Sequence, residues 1–158
     1  MSLDGKRVVL GVSGGIAAYK VADLASKLSQ AGALVDVIMT ESAQKFVTPL
    51  TFAALTHRPV RTDLYEDWLG DDTGHVGLAH GADILVVAPA TAHTIARLAL
   101  GLSDDFLSAV YLSTQAPVLI VPAMETGMYQ HLATQEHLDT LKRRGAQGAF
   151  GEGGAPLL

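Results

Sequence analysis

The chain contains no cysteine. That absence excludes disulfide staples, thiolate metal centres and a cysteine nucleophile. Charge is scarce as well: Asp, Glu, Lys and Arg make up 17% of the residues, and the formal net charge is -5. The 11 Lys and Arg are scattered instead of clustered, so no nucleic-acid footprint is expected. No apolar run reaches the length of a membrane helix, and Met1 to Lys6 lacks the apolar core of a signal peptide. A cytoplasmic protein with no membrane partner is expected. Two familiar phosphate-binding signatures are also missing. Gly11-Val12-Ser13-Gly14-Gly15-Ile16 has the wrong spacing for a dinucleotide fingerprint, and no Gly-Lys-Ser/Thr follows it.

What remains is an apolar chain of 158 residues, 49% hydrophobic, long enough for one domain with a sizeable core. That fraction is high for a free-standing monomer, so part of the apolar surface is expected to lie between subunits of a homo-oligomer. The organising stretch is Val8 to Lys20: a short apolar run, a turn of small residues, then an amphipathic restart. Gly14 and Gly15 let a strand reverse directly into a helix and let a ligand approach the backbone. The amides of the helix's first turn then form an anion cup, aided by the helix dipole. Ser13 adds a hydroxyl that serves the anion or caps the helix. A mononucleotide phosphate suits this turn better than a dinucleotide or a triphosphate, and a turn without any ligand is the alternative.

Helix and strand then alternate. Apolar spacing predicts a helix from Ala17 to Ala31 stopped by Gly32, and a strand from Leu34 to Met39 ending in Thr40-Glu41-Ser42. Thr40 or Ser42 serves a ligand or caps a helix from Ala43. Further helices are read from Pro49, over Thr94 to Leu102, Asp104 to Ser113 and Gln135 to Arg144. A short strand is read over Val60 to Leu64, and strands apolar on both faces over Ile84 to Ala88 and Val118 to Val121. Tyr65 to Gly77, with the only tryptophan and three glycines, is a functional-loop candidate, and residues 146–158 read as a mobile glycine-rich tail. The alternation predicts one α/β domain over residues 1–158: a doubly wound parallel sheet, Rossmann-like and of flavodoxin type, with helices on both faces.

The turns Ser13 to Gly15, Thr91 to Thr94 and Pro122 to Glu125 follow strands that point the same way, so they can surround one ligand. His75, at the end of the irregular loop, is the acid/base candidate, with a surface helix cap as its alternative. His93 divides the same way. His80, His131 and His137 have no partners at metal-ligand spacing and are read as surface residues, so no metal is expected.

Ser13-Gly14-Gly15-Ile16-Ala17-Ala18-Tyr19-Lys20, His75-Val76-x-Leu78-Ala79, Ala88-Pro89-Ala90-Thr91-Ala92-x-Thr94, Gly101-x-x-Asp104-Asp105 and Pro122-Ala123-Met124-x-x-x-Met128-Tyr129 occur in this order. Together they resemble the flavoprotein cysteine decarboxylases, and among them the phosphopantothenoylcysteine decarboxylase domain of coenzyme A biosynthesis. The resemblance implies FMN as cofactor, its phosphate on Ser13, Gly14, Gly15, Ile16, Thr40 and Ser42, and its ring against Thr91, Ala92, His93, Thr94 and Ala123. It places the catalytic histidine on His75 and the substrate-binding positions on Glu125 and Met128. It implies a carboxy-lyase acting on a small molecule, and a homo-oligomer, trimer or dodecamer, with the flavin at a subunit boundary. In the family's chemistry the cysteine moiety is oxidised toward a thioaldehyde, and carbon dioxide leaves with its electrons delocalised into the C=S group. The resulting enethiol is then open to reduction.

The chain departs from the family pattern at three points. Glu125 stands where the family's block has Asn, His93 stands where its turn has Asn, and there is no cysteine for a C-terminal substrate flap. No counterpart of the domain that joins cysteine to phosphopantothenate in many bacterial fusions is read in these residues. The alternatives are a decarboxylase of a peptide's C-terminal cysteine, a flavin prenyltransferase and a catalytically silent FMN-binding subunit. The prenyltransferase is disfavoured by Pro122-Ala123-Met124-Glu125, which lacks an arginine.

Overall fold

The structure is a computed structural model that describes residues 2–65 and 74–149. Most of the Tyr65 to Gly77 loop, with the tryptophan, and the tail beyond residue 149 lie outside the described residues. Among the described residues five parallel strands form one sheet in the order β2-β1-β3-β4-β5: β1 Arg7–Val12, β2 Leu34–Met39, β3 Ile84–Ala90, β4 Val118–Pro122 and β5 Gln147–Gly148. The order and the parallel pairing match the flavodoxin-type arrangement expected. Among the described residues seven α-helices connect the strands: α1 Ala18–Gln30, α2 Pro49–Thr56, α3 His75–Gly81, α4 Ala92–Leu100, α5 Phe106–Ser113, α6 Thr126–Gln130 and α7 Leu132–Arg143.

The central strands are apolar on both faces because both faces are covered. Val8, Leu10 and Val12 of β1 pack with Ala18, Val21 and Ala25 of α1 and Phe52 of α2. Val9 of β1 faces the other layer, with Ile95 and Leu98 of α4, Leu107 and Val110 of α5 and Leu138 and Leu141 of α7. Period-two alternation along a strand thus serves two cores at once. Gly11 lets a helix come close: a Cβ there would lie 3.1 Å from Leu107 Cδ2, within the space that this buried side chain fills.

Four readings change. The segment after Ser42 is one turn of tighter helix, Ser42–Lys45, before the chain extends through Thr48 into Pro49 at the start of α2. Val60 to Leu64 contributes only a bridge, Ile38 to Arg61, where the Arg61 N–H donates to Val37 and its carbonyl accepts from Met39. Pro59, without an N–H, limits how far that pairing extends. The first residues of the supposed mobile tail are a strand: Gly145, at φ +99, turns the chain after α7, and Gln147 and Gly148 pair with Leu119 and Ile120. Both residues of β5, Gln147 and Gly148, are exposed, so no apolar pattern announced it. Finally, α6 lies in a stretch for which no element is expected, and α7 starts at Leu132, ahead of the expected Gln135, because His131 Nδ1 accepts from the Ala133 N–H at 3.0 Å.

Candidate functional site

A cleft of about 1490 Å³ opens at the carboxyl ends of the strands. The strand order reverses between β1 and β3, and open α/β sheets hold their ligands at such a switch point. Gly14, Gly15, Ile16, Thr40, Ser42, Thr91, Ala92, His93, Thr94, Ala123, Glu125 and Met128 all line this one cleft. Two residues singled out from the sequence do not. Ser13 is buried beneath the turn, where its hydroxyl donates to the Pro89 carbonyl and accepts from the Thr91 N–H at 3.0 Å, clasping the ends of β1 and β3 together. His75 opens α3 and meets Phe106 edge-on, ring centroids 6.3 Å apart. Phe106 lines the cleft, and His75 is outside its lining.

At the turn expected to cup an anion, amides just ahead of α1 are open. Among the described residues the amides of Gly14, Ile16 and Ala17 donate to no protein acceptor, and no side chain caps α1. Ala17 is buried and Gly14 half-buried, so their amides call for an acceptor from a ligand or water, while Ile16 stands exposed beside them. Gly14 is required by contact, not by its dihedral angles. A Cβ there would lie 2.6 Å from Ser42 Cβ and 2.8 Å from the Ser42 carbonyl carbon. The turn after β1 and the turn after β2 therefore close on each other as a cradle that a side chain would fill. Thr40 Oγ1 sits 3.4 Å from Ser42 Oγ and accepts from the Ala43 N–H at 3.2 Å, which fixes the second turn.

The opposite wall is α4 and α5. Thr91 caps α4, its hydroxyl accepting from the Thr94 N–H at 3.2 Å and donating to Thr94 Oγ1 at 3.2 Å. Asp105 caps α5 in a reciprocal box with Ser108. Arg97 joins the two helices, with Nη1 2.8 Å from Asp104 Oδ1 and 2.9 Å from Asp105 Oδ2, and reaches back to His93. Sequence reasoning missed Arg97 as part of the site, although it follows His93 by one helical turn, a spacing that puts both on one face. At the rim, Glu125 caps α6. Its carboxylate accepts from the Gly127 N–H at 2.8 Å and the Met128 N–H at 3.1 Å, and these bonds hold it below the usual carboxylate range.

The comparisons with known proteins bear on this geometry. A family model described as Flavoprotein matches residues 1–152. The chain belongs to the flavoprotein family. The bifunctional coenzyme A biosynthesis protein CoaBC of Vibrio cholerae is 51% identical over 144 residues, covering 91% of this chain and 36% of its own length. The flavoprotein chain thus spans about a third of the length of the curated relatives it matches. The FMN-dependent cysteine decarboxylase SpaF superposes with a TM-score of 0.85 at 31% identity, over 93% of this chain and 85% of that one. A cysteine-to-serine mutant of a PPC decarboxylase complexed with pantothenoylaminoethenethiol gives 0.79 at 27% identity, over 96% and 88%.

Proposed function

We propose that this flavoprotein is an FMN-dependent carboxy-lyase that decarboxylates phosphopantothenoylcysteine to phosphopantetheine in coenzyme A biosynthesis. The observation that carries the reading is the open cradle at the switch point, Gly14 pressed against Ser42 beneath uncapped amides. Its donors suit a monoester phosphate, and the cleft beyond it has room for a flat ring system. Gly14, Gly15, Ile16, Thr40 and Ser42 would hold the phosphate, and Ala92, His93, Thr94 and Ala123 would border the ring. When bound, FMN supplies the two-electron oxidation of the cysteine moiety that makes loss of carbon dioxide possible. The chain's part is to bind, orient and screen: the α1 dipole and amides take the phosphate charge, and Phe106, Leu107 and Met124 border the cleft with apolar surface. His75 does not line the cleft of a single chain but packs edge-on against Phe106, which does, so its proton transfer on the substrate requires the subunit packing argued next to complete the site, while Glu125 and Met128 form the substrate-facing rim. Ile16 and Tyr19 at the cleft, exposed by 75% and 60%, together with Leu50 and Leu132, exposed by 76% and 74%, support a homo-oligomer packed around this rim.

One observation favours a second reading, a subunit that binds FMN without turnover. The Glu125 carboxylate is turned onto its own helix and stays ionised, so it offers a substrate carboxylate repulsion instead of a hydrogen bond. The first test is the visible spectrum of the purified protein, with the released chromophore identified by mass. A flavin band with FMN near one per chain supports the reading, and carbon dioxide release from phosphopantothenoylcysteine separates enzyme from silent subunit. A colourless protein that refuses added FMN overturns both readings.

A further inference from the structure

His93 lies on the cleft wall, one turn before Arg97 on α4, and its Nε2 is 3.0 Å from Arg97 Nη2. A guanidinium has donors and no lone pair to offer. The contact is a hydrogen bond only if Nε2 accepts, so the proton of the neutral ring resides on Nδ1. The guanidinium is itself fixed. Its Nη1 is shared by Asp104 and Asp105, and the Oδ1 of Asp105 accepts from the Ser108 N–H at 2.8 Å at the start of α5. Arg97 is mostly buried, with a side-chain exposure of 20%, while His93 is exposed. A chain of hydrogen bonds therefore runs from the α5 backbone to the cleft and sets the tautomer of its last member.

We propose that His93 acts in this cleft as a hydrogen-bond donor through Nδ1–H toward an oxygen acceptor of the bound ligand, with Arg97 as the positioning residue that fixes the tautomer. The ligand contact rests on the proposed FMN site; the tautomer does not. The acceptor is a carbonyl oxygen of the cofactor ring or a carboxylate oxygen of a cysteine-containing substrate.

The test uses the full chain with labelled histidine and long-range nitrogen–proton NMR correlations, His93 being assigned by loss of its signals in His93→Asn. In the ligand-free protein the expected result is Nδ1–H with Nε2 unprotonated, and loss of that preference in Arg97→Met. A ring protonated on Nε2, or an even mixture, in the wild-type protein overturns the proposal, so a poorly folding Arg97→Met does not protect it. FMN is then added, and afterwards N-acetylcysteine. A shift of the Nδ1 resonance on FMN addition places the acceptor on the cofactor, and a shift only with N-acetylcysteine places it on the substrate. If FMN binds and neither addition moves Nδ1, the contact is refuted. His93→Leu is expected to weaken binding of whichever ligand shifts Nδ1 by roughly threefold to tenfold, the range of one neutral hydrogen bond. His93→Asn, which keeps a donor near Nδ1, is expected to restore most of it; equal affinity in all three proteins overturns the contact. Absorbance titration shows separately whether FMN binds. If it does not, the proposed function and the ligand contact fall together, while the tautomer still decides the role of Arg97.

Discussion

Replacing Gly14 with alanine tests the cradle directly. The new methyl would lie 2.6 Å from Ser42 Cβ and 2.8 Å from the Ser42 carbonyl carbon. Carbon contacts settle at about 3.5–4.0 Å, so one turn must retreat by roughly 0.7 Å or more. Rotating the Ser42 side chain cannot relieve a clash with its own backbone. Overpacking of this kind costs about 1–3 kcal/mol, and at about 2–4 °C per kcal/mol for a domain of this size the melting temperature should fall by several degrees. FMN binding should fall further, because the displaced amides are those proposed to hold the phosphate. One lost charge-assisted bond, about 1.5–3 kcal/mol, is a weakening of at least tenfold. Gly15→Ala is the control: its Cβ would lie 3.6 Å from Thr91 Cγ2, an ordinary contact, so the apo melting temperature should hold. Ser42→Gly in the Gly14→Ala background removes the side-chain part of the clash and should recover part of the stability. The assays are thermal melting without ligand and fluorescence titration with FMN. A Gly14→Ala protein with the wild-type melting temperature and wild-type FMN affinity would refute the contact argument.

Arg58→Met leaves Asp36 buried on β2 without the guanidinium that donates from Nε at 2.8 Å and Nη2 at 3.3 Å. Because Arg58 is itself a third exposed, a loss of about 2–3 kcal/mol in urea unfolding is expected, below the full figure for breaking a buried pair. The Glu125 cap should be present above the ordinary carboxylate pKa and lost as pH falls through the lowered native value, since only the ionised form accepts both amides. The Gly127 and Met128 amide resonances should titrate there, and a midpoint at or above the ordinary value contradicts the cap. Glu125→Asn should lower KM for a carboxylate-bearing substrate with little change in FMN affinity, as steady-state decarboxylation would show; an unchanged KM rejects the repulsion argument. His75→Asn should reduce kcat at least a hundredfold, within the usual range for general acid/base groups, and leave FMN bound. An unaffected rate would remove His75 from the proton transfer.

The two-sided core and the strand-to-helix turn were legible because each is a local pattern: runs such as Ile84 to Ala88 have no polar face to give water, and Gly14-Gly15 interrupts such a run at the point where a helix begins. What stayed hidden was settled by distant partners. Nothing around Gln147 and Gly148 announces a strand, since a two-residue edge strand of exposed residues forms through backbone pairing with Leu119 and Ile120 alone. Ser13 read as a ligand donor, but Pro89 and Thr91, far along the sequence, claim its hydroxyl. Arg97 and Asp105 are ordinary helix residues until α4 and α5 come together and make them the buttress of His93.

The margins of the sheet constrain how this domain can meet other chains. On one side β5 offers two residues, and on the other Arg61 occupies hydrogen-bonding positions of Val37 and Met39 just after Pro59. Among the described residues neither border presents a long unpaired ribbon that could template a neighbour's strand. Among the described residues, contact with a second copy therefore falls to exposed side chains such as Leu50 and Leu132. Single substitutions to charged residues there should dissolve an assembly without unravelling the subunit.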